Sequence, residues 1–178
     1  MMAELSLIYP FLVLAWAGFV AIAAIHVSSL FGFTHPFENL LLRYLVPGLF
    51  VVFLPTIFVM NRLTRDFKQK DLWSAALRGC PPWMRGAVWV LFGYCWLGFF
   101  VLPIFYGGGM DSPANKARAM SGVLMTFYLI PAAVLYSATQ VERVDQGRRC
   151  LNGHHLPPSA KFCEECGAPA APITTTYS

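Results

Sequence analysis

The chain has 178 residues, of which 57% are hydrophobic and only 12% charged, and it carries a formal net charge of +4. A soluble domain has roughly half apolar and a quarter charged residues, so an ordinary water-soluble globular fold is excluded. The apolar residues come in long runs without polar residues returning every few positions, which makes lipid their solvent and the chain an integral membrane protein.

Four runs stand out, at residues 5–30, 40–60, 86–106 and 121–141. Each meets the roughly 20 residues that a helix rising 1.5 Å per residue needs to cross the hydrocarbon. The strands of a membrane β-barrel would alternate in polarity over about ten residues, and these runs do not. The predicted fold class is all-α, with four transmembrane helices within residues 1–141 and a small C-terminal module.

The first run has no basic segment ahead of it and is too long for the apolar part of a cleavable signal peptide, so it reads as a span. His26 sits toward its outer end, with His35 and Glu38 in the following loop and Arg43 at the start of the second run. These are the main ionisable groups near the spans, where a charge at mid-bilayer costs at least ~2.5–3.5 kcal/mol. That scarcity argues against an ion-coupled pump. The preferred reading of the group is an interfacial histidine and a Glu38/Arg43 ion pair. The alternatives are an outward-facing site or a haem ligand, but the other runs contain no histidine to face His26. Pro10, Pro47, Pro55, Pro103 and Pro131 recur in the runs. Such residues can kink membrane helices but also occur there for packing alone.

The connection after the second run carries Arg62, Arg65, Lys68, Lys70, Arg78 and Arg85, and the tail carries Arg143, Arg148, Arg149 and Lys161. The other two connections hold only Arg43, Lys116 and Arg118. Basic residues near span ends stay in the cytoplasm, so an even number of spans predicts both termini inside. Residues 62–79 are expected to form one helix on the cytoplasmic membrane surface. Leu63, Phe67, Trp73, Ala76 and Leu77 give it an apolar face, and the basic residues give it a face toward anionic headgroups. Pro81 and Pro82 end it, and Trp83 is placed at headgroup level. Cys80 and Cys95 have no catalytic base beside them in sequence and read as packing residues. Gly86, Gly93 and Gly98 would allow close helix approach within the bundle or between subunits. The Gly-rich stretch 107–113 reads as an outer loop.

After a linker at 142–149 comes the pattern Cys150-x3-His154-x8-Cys163-x2-Cys166-Gly167. In a reducing compartment, Cys and His spaced this closely hold a metal more often than they form disulfides. Two ligand pairs on two short turns can close a tetrahedron around Zn²⁺, and Gly153 and Gly167 let backbone N–H groups turn toward the thiolates. Four protein ligands leave no open position, which points to structural rather than catalytic zinc. His155 is a rival to His154 that the residues alone leave open. A module so short cannot bury enough apolar surface to fold by itself, whereas structural zinc supplies about 10–16 kcal/mol of apparent binding energy. The module is assigned to residues 150–167 and a disordered tail to 168–178.

The stretch from Cys150 to Gly167, including the Ala160-Lys161-Phe162 lead-in, resembles the bacterial zinc-ribbon family, and it covers about a tenth of the chain. The resemblance favours His154 in the second ligand position, where four-cysteine members carry a thiol. The whole pattern of four spans and a ribbon also resembles bacterial membrane proteins that carry no assigned activity. The resemblance implies a bacterial cytoplasmic (inner) membrane, multi-pass, with the ribbon inside.

Nucleic acid is not an expected partner, because Arg143, Arg148, Arg149 and Lys161 are balanced by Glu142, Asp145, Glu164 and Glu165 and three thiolates on Zn²⁺ add negative charge. The function expected is a non-enzymatic membrane scaffold or sensor subunit whose zinc module caps the bundle or docks a protein partner. The alternative is a homo-oligomeric channel or transporter lined by Thr126, Tyr128, Ser137 and Thr139. No converging acid, base and nucleophile stand out to make it an enzyme.

Overall fold

A computed structural model of the chain describes residues 2–31, 38–100, 113–146, 149–154, 156–157 and 160–170. All regular structure among them is helical, with no strand. Helix α1 runs Met2–Leu30 and α2 Glu38–Thr64. A single 3₁₀ turn, Gln69–Asp71, leads into the short α3, Leu72–Ala76. Helix α4 is Pro82–Phe100 and α5 is Pro113–Gln146. Pro10, Pro47, Pro55 and Pro131 lie inside helices that continue through them, whereas Pro103 is outside the described residues.

Three helices are long and apolar enough to cross a membrane, through Leu7–Leu30, Arg43–Thr64 and Ala117–Val141. The expected fourth span at 86–106 is not among them. Its described helix begins at Pro82, and the uncharged part after Arg85 rises only about 22 Å by Phe100, short of the roughly 30 Å hydrocarbon core. Residues 101–106 lie outside the described residues.

Helix α5 is the centre of the bundle: 67% of its span is buried, against 22% for α1 and 11% for α2. It packs on α1, α2 and α4. Its inward positions include the small or hydroxylic Ser121, Gly122, Ala132, Ala133 and Ser137 among larger buried residues such as Tyr128, Leu129 and Leu135, and the small ones let neighbouring backbones come close without a hydrophobic drive between helices in lipid. The outward faces of α1, α2 and α4 carry Leu7, Val13, Val20, Phe50, Phe58, Val90 and Leu97, all exposed. A large apolar surface of this kind belongs in hydrocarbon rather than in water.

Close approach occurs where the sequence does not advertise it. A Cβ on Gly18 of α1 would overlap the ring of Tyr128, and one on Gly48 of α2 would meet the Tyr128 hydroxyl oxygen at 3.0 Å. Tyr128 fills the slot these two glycines leave and donates its hydroxyl to Leu45 O at 2.7 Å. By contrast a Cβ on Gly86 or Gly93 would meet nothing within 4 Å, so neither marks a helix contact within this chain.

Instead of one surface helix over 62–79, α2 continues to Thr64, whose hydroxyl turns back to Met60 O, and the chain then folds through the 3₁₀ turn and α3. The break is stabilised by arginine. Arg78 donates from Nη1 to Leu63 O and Ala75 O at 2.8 and 2.9 Å, satisfying carbonyls at the ends of α2 and α3. Its guanidinium also lies 5.1 Å from the Phe67 ring centre. Leu63, Ala76 and Leu77 pack inward with Cys80 and Met84, while Arg62, Arg65, Lys68 and Lys70 stay exposed. Gly79 then touches α5: its N–H donates to Ser137 Oγ at 3.0 Å, and a Cβ there would strike the Ser137 carbonyl.

Candidate metal centre

The C-terminal module is built from two similar turns. In the first, Gly153 N–H closes onto Cys150 O at 2.9 Å and His154 N–H points at Cys150 Sγ at 3.3 Å. In the second, Gly167 N–H closes onto Cys163 O at 2.9 Å. Both glycines have positive φ, 87° and 69°, a conformation that a side chain resists. The turns are tied by isolated antiparallel bridges, Cys150 to Ala170 and Phe162 to Pro169. Leu156, with Ala160, Ala168 and Ala170 around it, packs against Cys150 and Cys163 as a miniature core that the motif alone did not reveal.

This arrangement brings one ligand atom from each of Cys150, His154, Cys163 and Cys166 within 4.8 Å of one another, and the four could hold a metal ion. Cys150 Sγ is 3.7 Å from Cys166 Sγ, and Cys163 Sγ is 3.7 Å from His154 Nδ1. A disulfide would bring two sulfurs to about 2.05 Å. Tetrahedral zinc with its usual bond lengths sets two thiolates about 3.8 Å apart and a thiolate and imidazole about 3.5 Å apart, and these two separations are close to those values. His155 lies outside the described residues. The backbone N–H of Ala168 holds the Cys166 thiol down to about 6, while burial pushes Cys163 upward. Glu165 places a carboxylate oxygen 3.6 Å from His154 Nδ1.

A second constellation lies inside the bundle and was missed in the sequence. His26 is 5% exposed, buried among the helices, and both of its ring nitrogens are engaged. Nδ1 is 2.8 Å from Ser121 Oγ and Nε2 is 2.7 Å from Tyr94 OH. Ser121 directs its own hydroxyl at Ala117 O, 2.6 Å away, so it accepts from His26 Nδ1–H and Nε2 accepts from Tyr94 O–H. His26 thus links α1, α4 and α5 through both of its ring nitrogens. Ser29 and Arg118 extend the cluster through Ser29 Oγ to His26 O and Arg118 Nε to Ser29 O. The available signal was depth: His26 lies near the C-terminal end of α1 and Ser121 near the N-terminal end of α5, which antiparallel spans bring to the same side of the bundle. Tyr94, mid-helix in an aromatic-rich run, gave none. The Glu38 side chain and His35 fall outside the described residues.

The hydroxyls expected to line a pore are occupied by backbone groups. Thr126 bonds to Leu91 O and Gly122 O, Tyr128 to Leu45 O, Ser137 accepts from Gly79 N–H, and Thr139 bonds to Tyr136 O.

Fold and site together define a helical bundle with membrane-spanning helices and a four-ligand Cys/His cluster at its C-terminal end. Comparison with protein families, curated proteins and solved structures finds no match for this chain. The whole-chain resemblance to bacterial four-span proteins therefore has no relative behind it, and the cluster is compatible with a zinc ribbon on its own geometry.

Proposed function

We propose that the chain is a non-enzymatic membrane scaffold or sensor subunit whose cytoplasmic module, ordered by structural zinc, caps the bundle or docks a protein partner. The observation that carries this reading is the convergence of one ligand atom from each of Cys150, His154, Cys163 and Cys166 to within 4.8 Å of one another. Four protein ligands fill the coordination sphere, so the metal supplies fold rather than chemistry. Beside two of the ligands, Leu151 and Phe162 project outward at 65% and 63% exposure, an apolar pair suited to a partner surface.

We read the apolar run at residues 86–106 as a fourth span, supported by Trp89, Val90, Trp96 and Leu97, which leave the outer face of α4 apolar and exposed. With an even number of spans and the basic connection and tail on one side, our reading is that both termini face the cytoplasm. The occupied hydroxyls of α5 speak for a dry bundle, and no observation favours the channel alternative.

Affinity purification from native membranes tests the reading with two variants. Cys163→Ser, Cys166→Ser is expected to insert normally but to lose its zinc and its soluble companions. Leu151→Ser, Phe162→Ser is expected to keep stoichiometric zinc and lose the companions. If the same companions copurify with both, the module is only a local staple.

A further inference from the structure

A groove of about 450 Å³ opens where α1, α4 and α5 meet the cytoplasmic connection, lined by Trp16, Pro81, Pro82, Trp83, Met84 and Tyr136. Its walls run in the direction of a lipid chain. Pro82 and Trp83 form the first residues of α4. Tyr136 lies about 8 Å in from the Val141 end of the α5 span, and Trp16 about 14 Å in from the Leu7 end of the α1 span. The groove therefore reaches from a helix end toward the bilayer centre along roughly half of the hydrocarbon thickness.

A guanidinium adjoins the groove's lining. Arg85 follows the lining residue Met84 and folds back so that Nε donates to Cys80 O at 2.9 Å and Nη2 to Arg78 O at 2.8 Å. These bonds hold the guanidinium beside Pro81, and among the described residues Nη1 has no hydrogen-bond partner. The same connection exposes Arg65, Lys68 and Lys70, with Asp66 and Asp71 between and beside them, and keeps a net positive charge. Basic pockets between membrane helices at this level suit phosphate headgroups, and a guanidinium presents paired N–H donors that match phosphate oxygens.

We propose that this groove is a binding site for one anionic phospholipid, with an acyl chain against Trp16, Met84 and Tyr136 and the phosphate on Arg85. Zwitterionic lipids offer the same chains but no net charge, so the headgroup decides occupancy. The site goes beyond the scaffold reading and does not depend on the zinc module.

The test uses the full chain in mild detergent, incubated with equimolar phosphatidylglycerol and phosphatidylcholine of identical chains. The protein is then washed, and the retained lipid is extracted and quantified. One phosphatidylglycerol per chain is expected, favoured over phosphatidylcholine by about fivefold, the effect of one cation at an anionic headgroup. Arg85→Gln is expected to bring the two lipids to parity and Arg85→Lys to preserve the preference. If Arg85→Gln does not fold, raising the salt concentration on the parent protein reads the same contact, because screening must reduce the preference. Trp83→Ala, at an exposed rim position, is expected to lower retention of both lipids without changing the fold. Equal retention of the two lipids by the parent would overturn the site, as would a preference indifferent to Arg85→Gln and to salt. A dimer that excludes lipid from the groove would overturn it too.

Discussion

The ring of Tyr128 occupies the space that a Cβ on Gly18 would need, so the central helix α5 and the first helix α1 approach as closely as they do only because residue 18 has no side chain. The Tyr128 hydroxyl, passing Gly48, ends on Leu45 O of α2. One side chain thereby sets the spacing of three helices.

Gly18→Ala is expected to destabilise the bundle by about 1–3 kcal/mol, the usual cost of overpacking, despite the better helix propensity of alanine. Gly93→Ala, with open space around it, should stay within about 0.5 kcal/mol of the parent. Equilibrium unfolding in detergent micelles compares them. Equal effects would mean that Tyr128 is not seated against Gly18.

Tyr94→Phe removes the donor to His26 Nε2 while keeping the ring, and it should cost about 0.6 kcal/mol, with ~1.7 as an upper value, as measured for polar contacts between membrane helices. His26→Ala should cost more, because it also cuts the tie to Ser121. Neither variant should change any haem absorbance, since the parent protein is expected to show none in the Soret region.

Cys80 is fully buried, with its Sγ 3.0 Å from Ala133 O, and burial pushes its thiol up from 9 to about 12. As pH rises past 9 the unfolded chain loses this proton first, so the stability contributed by the neutral thiol is complete below that pH and is lost as pH climbs toward 12. The stability advantage of the parent over Cys80→Ala should therefore shrink across that window. At pH 8 iodoacetamide should label Cys80 only after denaturation.

Removing metal with a chelator should leave the bundle intact and loosen only the module. Circular dichroism is expected to keep its helical signal, while amide exchange speeds up across residues 149–170, whose apolar core comprises little more than Leu156 and the flanking alanines. Loss of helical signal in parallel with zinc would show instead that the bundle depends on the module.

The sequence alone pointed to lipid as the solvent of this protein and to the four residues of its Cys/His cluster, because both are local properties. Run length against bilayer thickness needs only counting, and a Cys-x2-Cys turn with its glycine brings two sulfurs together whatever the rest of the chain does. The length of the surface helix at 62–79 was misjudged, since Arg78 reaches back 15 residues to Leu63 O and rewards a break that local periodicity does not foresee. The partners of His26 lie 68 and 95 residues away, and the Gly18–Tyr128 seat joins two different helices. Such contacts are decided only when the helices pack, because hydrocarbon rewards every apolar helix face almost equally. Which faces meet is then settled by shape and by the few hydrogen bonds the faces can share.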